Sequence, residues 1–185
     1  MQKQSRKDEN SLSDYVFGKL PPQAVDLEEI VLARALSSRG DFEVVSNILS
    51  KDSFYNAFHS AMFQAMQSLF DTGKPIDIST VWHEMVRLNI SEGSHPADVV
   101  GISMKIQYSG NLEHHAFVIQ EKAMRRNLIE SSSANIRMAY DESIDTFEVI
   151  DSAEKSTFEI SREGAPRSIK QISGLVFDVM RASEE

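Results

Sequence analysis

The hydrophobic residues of this chain recur every three or four positions, which is the spacing of one face of an α-helix. Phe58, Met62, Met66 and Leu69, for example, would share one face of a single helix. No segment shows the alternation of apolar and polar residues that is typical of a half-buried strand. The pattern therefore predicts an all-α protein.

Five short amphipathic helices are predicted within residues 20–110, enough for a small helical bundle. The first is expected to begin at Asp26, with Glu29 completing a capping box, and to end at Gly40 in a left-handed cap. Two later helix starts are marked by residues favoured at that place, Asp77 and Pro96.

The segment 111–163 has a different pattern. Residues 111–140 contain neither Gly nor Pro and predict one long helix. A turn at 141–143 precedes a second helix, and so short a link makes the pair an antiparallel hairpin. A hairpin is too thin to bury two apolar faces by itself, so some apolar surface is expected to contact a partner.

The two ends of the chain are expected to lie outside the helical bundle and the hairpin. Residues 1–19 have few apolar side chains and predict a flexible tail. Residues 164–185 predict a linker followed by an amphipathic linker helix. The apolar face of that helix would dock on another domain, through Ile169, Ile172, Val176 and Val179.

Composition narrows the class of protein. The 185 residues carry 19 basic and 28 acidic side chains, a formal net charge of −9, which argues against binding to a phosphate backbone. There is no cysteine and no apolar run long enough to cross a membrane. The first fifteen residues are polar and charged, so we expect no signal peptide. We therefore expect a cytoplasmic protein with little or no direct contact with nucleic acid or membranes.

Motifs for chemistry are mostly missing. Neither Gly73-Lys74-Pro75 nor Gly18-Lys19-Leu20 has the upstream glycine and the following hydroxyl of a nucleotide-binding P-loop. His83-Glu84 opens like a zinc-protease motif, but position 87 is Arg, so a solvated helix face is favoured. The adjacent acids Glu28 and Glu29 are interpreted as first-turn charges that favour the helix dipole. We expect no catalytic residue, metal or cofactor in this chain.

The candidate functional residues lie in the predicted hairpin. Its apolar faces and one basic doublet predict a protein interface. The residues are Arg125, Arg126, Leu128, Ile129, Ile136, Phe147 and Ile150. Self-association through this surface, as a dimer or a larger ring, is the expected consequence.

Several segments carry a more specific signal because of their order. They are 20–24 (LPPQA) followed by 26–32 (DLEEIVL), Phe54-Tyr55 with His59, 73–77 (GKPID) with Thr80-Val81, 111–116 (NLEHHA) with 121–123 (EKA), and 153–155 (AEK) with 158–160 (FEI). In this order they resemble the N-terminal domain and linker helix of the bacterial replicative DNA helicase family (DnaB). The resemblance covers about residues 19 to 182.

The resemblance implies a module without the RecA-like motor domain, which in that family carries the ATP, Mg²⁺ and DNA chemistry. Paired hairpins would join two subunits, and three such pairs would form the collar of a hexamer. The collar would dock the C-terminal domain of primase, and the linker helix would pack on the motor domain of the neighbouring subunit. A helicase loader or initiator is a further implied partner.

Two rival interpretations remain open from the sequence. One is a free-standing paralogue that regulates helicase or primase by protein binding. The other is a small helical, metal-dependent enzyme whose site would include His83 and Glu84.

Overall fold

The computed structural model describes residues 20–106 and 110–163, and within them it contains α-helices, one short 3-10 helix and no strand. The elements in chain order are α1 (Val25–Ser37), α2 (Arg39–Ser46), the 3-10 helix (Lys51–Ser53), α3 (Ala57–Asp71), α4 (Ile78–Arg87), α5 (Pro96–Ser103), α6 (Leu112–Tyr140) and α7 (Thr146–Glu163). The all-α prediction is confirmed.

The described residues form two compact units. The first, called here the bundle unit, comprises 23–106 and 110–123. The second, called the hairpin unit, comprises 124–163 together with 20–22. The predicted tail (1–19) and the predicted linker helix, with Ile169, Ile172, Val176 and Val179, lie outside the described residues.

The start of α1 differs from the prediction. The helix begins at Val25 with Ala24 as its N-cap, and no side chain bonds to the free amides there. The expected capping box of Asp26 and Glu29 is therefore wrong. Glu29 instead forms an ion pair with Lys105 of the loop after α5, at 3.2 Å.

The end of α1 also differs from the prediction. The chain leaves the helix at Ser38, which is extended, and α2 starts at once. The Ser38 hydroxyl accepts a hydrogen bond from the amide of Asp41 at 3.2 Å, so it caps the new helix. Gly40 is therefore the second residue of α2 and not a left-handed cap. The boundary between α1 and α2 is therefore set by the Ser38 cap and not by Gly40.

Other predicted boundaries are confirmed. The Asp77 carboxylate accepts hydrogen bonds from the amides of Ser79 and Thr80, both at 2.9 Å, and caps α4. Pro96 is the first residue of α5. Gly73, with φ of 68°, turns the chain after α3, a conformation that a side chain would disfavour.

The core lies in the bundle unit, where all of its helices contribute buried apolar side chains. The largest fully buried ones are Phe42, Phe63, Leu32, Leu49, Met62, Met66, Met85, Ile119, Val31, Val45 and Val81. Phe42 is in ring contact with both Phe63 and Phe70, at 5.4 and 5.2 Å between centroids. The first turns of α6 belong to this core, because Leu112, Ala116 and Ile119 are buried in it.

Candidate interaction surface

Burial divides the long helix α6. Its buried residues are Leu112, Ala116, Ile119, Gln120 and Ala123, all in the N-terminal part. From 124 to 162, a range the structure describes throughout, no residue is buried. The hairpin unit therefore has no core of its own in a single chain.

Large apolar side chains are instead exposed on both helices of the hairpin unit. They are Leu128, Ile136 and Tyr140 on α6 and Phe147, Ile150 and Phe158 on α7. Tyr140 and Phe147 are 85% and 75% exposed. We call these six residues the apolar surface. Exposed apolar area of this kind is typical of sites where proteins meet.

The apolar residues predicted from the sequence to form an interface differ in their exposure. Leu128, Ile136, Phe147 and Ile150 are exposed members of the apolar surface, whereas Ile129 is half-buried. Whether they form an interface stays a prediction.

Two members of the apolar surface, Tyr140 and Phe158, were not among the candidates. The signal for Phe158 was its place eight residues after Ile150, two turns along the same face. Thr157, seven residues after Ile150, fits the same helical spacing and competes with Phe158 for that face.

The seam between α6 and α7 is small and partly polar. The Ser152 hydroxyl donates to the Asn135 side-chain oxygen at 3.3 Å, so these two residues mark where the helices meet. Ser131 and Ser156, about one turn away on each helix, are half-buried and bring little apolar area. The large hydrophobic side chains of this unit are divided between half-buried ones, such as Ile129 and Val149, and the exposed ones of the apolar surface.

The two candidate arginines differ in their surroundings. One guanidinium nitrogen of Arg126 donates to the carbonyl of Pro22 at 2.9 Å, which fixes the segment before α1 against α6. Arg126 is half-buried by this contact, and Arg125 is exposed. Arg126 therefore has a role within its own chain, whatever it contacts beyond.

Helix α7 and the turn before it are acidic, with exposed Glu148, Asp151, Glu154 and Glu159 along the helix. In the turn, Asp141 accepts hydrogen bonds from the hydroxyl and the amide of Ser143, at 2.6 and 3.0 Å. These bonds hold the pKa of the Asp141 carboxyl below its ordinary value. The Asp145 carboxylate then accepts from the amide of Phe147 at 2.8 Å and caps α7.

A second polar feature is buried in the bundle unit and was missed from the sequence. Glu28 lies in the first turn of α1, as interpreted from the sequence, but it is buried, with 1% of its surface exposed. Its carboxylate accepts from the amides of Tyr55 and Asn56, at 2.7 and 3.3 Å, and from His59 Nδ1 at 2.8 Å. Burial raises the pKa of this carboxyl, but the three hydrogen bonds outweigh it and the pKa is lowered. The contacts join α1 to the start of α3.

Glu84 is likewise buried, which corrects the prediction that it lies on a solvated face. Its carboxylate accepts from Arg87 at 2.6 and 2.8 Å and from the Ser68 hydroxyl at 2.5 Å. The bond from Arg87 is the main reason that the pKa of Glu84 is lowered to about 2. The neighbouring His83 is exposed, and its Nδ1 donates to the Ser79 carbonyl. The two side chains therefore do not assemble into the active site of the rival enzyme interpretation.

Comparison with known families gives the identity of the fold. The model of the DnaB-like helicase N-terminal domain matches residues 20–121, more than half of the chain. The chain belongs to this family. The resemblance drawn from the ordered segments is thereby confirmed.

Individual relatives of this DnaB-like domain agree. The chain is 29% identical over 168 residues to the replicative DNA helicase DnaB of Rhodothermus marinus, which covers 90% of this chain and 18% of that protein. It is 26% identical over 176 residues to the replicative DNA helicase DnaC of Bacillus subtilis, covering 90% and 38%. The chain thus spans well under half the length of these relatives.

A solved structure supports the same assignment for the DnaB-like chain. The crystal structure of the N-terminal domain of DnaB helicase from Mycobacterium tuberculosis superposes with a TM-score of 0.69 at 26% identity. The match covers 76% of this chain and 99% of that one. Of the helices that the structure describes here, none is long and apolar enough to cross a membrane.

Proposed function

We propose that this chain is the non-catalytic assembly and primase-docking module of a replicative DNA helicase. Its hairpin unit pairs with that of a second copy, and three such pairs form a hexamer. The carrying observation is the apolar surface, six large side chains exposed on a unit in which no residue from 124 to 162 is buried. The family shown by residues 20–121 supplies the helicase context.

The energetics favour pairing. Burying one large apolar side chain is worth about 1.5–3 kcal/mol. A twofold contact repeats each residue, so the six positions contribute twice. Scaled by exposed fractions of 47–85%, the twelve side chains would contribute about 11–22 kcal/mol if fully buried in the pair. The cost of association is roughly 4–15 kcal/mol, so pairing requires most of this exposed area to be buried.

The remaining parts of the proposal concern partners and cofactors. The C-terminal domain of primase docks on the assembled modules, a helicase loader or initiator is a further partner, and the segment with Ile169 and Val176 docks on a neighbouring motor domain. ATP and Mg²⁺ act in that motor domain, and this chain itself takes no cofactor. With 6 basic and 11 acidic residues in each of 21–110 and 111–163, it binds nucleic acid little or not at all.

The deciding experiment is sedimentation of the wild type beside Ile136→Asp. Ile136 is 52% exposed in the single chain, so an aspartate there should leave the bundle unit folded. In a pair it would place two charges in an apolar contact, and burying a charge without a partner is costly. The wild type should sediment as a dimer or larger, and the variant as a monomer at the same concentration.

The matched control is Val86→Asp in α4 of the bundle unit. Val86 is a β-branched helical residue with nearly the same exposure as Ile136, 51% against 52%, so the same aspartate is introduced at an equally exposed apolar position outside the apolar surface. This variant should associate like the wild type. If the wild type itself sediments as a monomer across the accessible concentrations, self-association through the hairpin unit is refuted.

Primase docking needs its own measurement. Titration of the purified C-terminal domain of primase into the wild type, followed by calorimetry, should give saturable binding. The monomeric Ile136→Asp variant should bind more weakly, since docking is proposed on the assembled form. The absence of any binding to the wild type would remove primase from the proposal and leave self-association standing.

A further inference from the structure

The hairpin unit is helical in a chain that gives its helices few internal contacts. The half-buried side chains of this unit include Ser131, Ser156 and the hydrogen-bonded pair Asn135 and Ser152 as well as apolar ones such as Ile129 and Val149, and no residue from 124 to 162 reaches full burial. Helices without packed apolar contacts are marginal in water, because most helical stability in proteins comes from tertiary packing. The seam alone therefore offers little to offset the entropy of ordering about forty residues.

We propose that the hairpin unit folds fully only when two chains pair, so that the second copy provides the core that one chain lacks. The bundle unit folds alone, and the hairpin unit is ordered by association. This proposal rests on the self-association in the proposed function and adds to it that the pairing surface is not preformed.

The size of the apolar surface fits a second copy. A whole aromatic side chain offers roughly 150–250 Å². At the observed exposures the six residues leave several hundred square ångströms uncovered. Each partner of a standard protein interface contributes about 800 Å². An identical hairpin presents the same residues along both helices, and so covers an extended surface of this kind along its length.

The opposite charges of α6 and α7 also favour a second copy of the chain as the partner of the apolar surface. Within the hairpin unit, α6 carries Arg125, Arg126 and Arg137 against a single acid, Glu130. Helix α7 carries an excess of acid, and its Glu154 lies one turn from both Ile150 and Phe158 on the apolar surface. A second copy supplies a basic helix as well as matching apolar side chains, so it can complement the acidic helix of the first.

Hydrogen exchange of the whole chain, read by mass spectrometry, tests the coupling. Samples are compared above and below the concentration at which sedimentation shows dissociation. Amides of 127–160 should exchange about 100-fold faster in the monomer than in the pair, as expected for a unit that opens independently. Amides of α1 to α5 should exchange at the same rate in both samples.

A variant that fills the seam provides a second, independent measurement. Asn135→Leu with Ser152→Leu replaces the polar pair by apolar side chains. Placed in the monomeric Ile136→Asp background, this double substitution should slow the exchange of 127–160 without restoring the pair. Faster or unchanged exchange in that background would contradict the view that a missing core is what leaves the hairpin unit unstable.

The outcomes separate this proposal from the proposed function. Equal protection of 127–160 in monomer and pair overturns the coupling and leaves pairing intact. A wild type that never associates overturns the pairing and with it the second copy as the occupant. Protection of 127–160 that appears only when the C-terminal domain of primase is added assigns the surface to another protein and also overturns the proposal.

Discussion

The two parts of helix α6 show how different the surroundings of one helix can be. Up to Ala123 one face of the helix, with Leu112, Ala116 and Ile119, lies in the core of the bundle unit, and Gln120 accepts a buried hydrogen bond from Ser53 at 2.7 Å. Beyond Ala123 no residue of the helix is buried, and apolar ones such as Ile136 and Tyr140 are exposed. Only the N-terminal part of α6, up to Ala123, is thus packed into a core of its own chain. Stability should therefore reside in the bundle unit, and association in the hairpin unit.

The largest effect is expected in the core of the bundle unit. Phe42→Ala removes a fully buried ring in contact with two others, and such truncations cost about 3–5 kcal/mol. Trp82, the only tryptophan, packs against the same core and reports its unfolding by fluorescence. Urea titration should show a much lower midpoint for the variant. A loss below 1 kcal/mol would mean that this core does not hold the unit together.

A slightly smaller loss is expected from the buried carboxylate. Glu28→Ala leaves the amides of Tyr55 and Asn56 and the ring of His59 without their acceptor, and we expect a cost of about 3 kcal/mol. Glu29→Ala is the matched control one residue on, since its partly exposed pair with Lys105 should contribute at most about 1 kcal/mol. Equal losses of unfolding free energy in the two variants would contradict a stabilising role for the buried hydrogen bonds of Glu28.

Acid should weaken the bundle unit selectively. Glu28 and Glu84 both have a lower pKa when folded than the ordinary value of 4.5. The unfolded chain therefore binds protons first as the pH falls, and the stability these groups supply is present above the ordinary value and lost as the pH approaches about 2. The urea midpoint of Trp82 fluorescence should fall steadily between about pH 5 and pH 2. Glu84→Gln should flatten this slope, and an unchanged slope would refute the role of Glu84.

The smallest effect on stability is expected on the apolar surface. Phe147→Ala removes as large a ring as Phe42→Ala does, but from a side chain that is 75% exposed. The Trp82 unfolding midpoint at low protein concentration should correspond to a change within about 0.5 kcal/mol. The same variant should reduce association in sedimentation. A large loss of bundle stability would show that the two units are not independent.

Local signals in the sequence predicted much of the fold. Asp77 at the start of α4, Pro96 at the start of α5 and the long helix without Gly or Pro all appear as expected. These features depend on bonds within a few residues, and such bonds can be read from neighbouring letters. The prediction that α1 ends at Gly40 was wrong for an equally local reason. Ser38, two residues earlier, caps the next helix and so sets the boundary.

The buried carboxylates could not be predicted in this way. Glu28 meets partners 27 to 31 residues further along the chain, and Glu84 accepts from Ser68 as well as from its near neighbour Arg87. Nothing in the local pattern distinguishes Glu28 from Glu29. On the candidate surface, periodicity placed Leu128, Ile136, Phe147 and Ile150 among the apolar positions. It missed Phe158 because two adjacent residues, Thr157 and Phe158, both fit a helical spacing from Ile150.

The division of α6 at Ala123 has a consequence for synthesis on the ribosome. The bundle unit cannot close its core, or join Gln120 to Ser53 67 residues earlier, until synthesis has passed Ala123. Domains generally fold as units during translation, which proceeds at about 5–20 residues per second. The core formed by α1 to α5 is therefore completed only after the start of α6 has been synthesised. The rest of α6 and α7 leave the ribosome afterwards, so the bundle unit can complete its core before the apolar surface emerges.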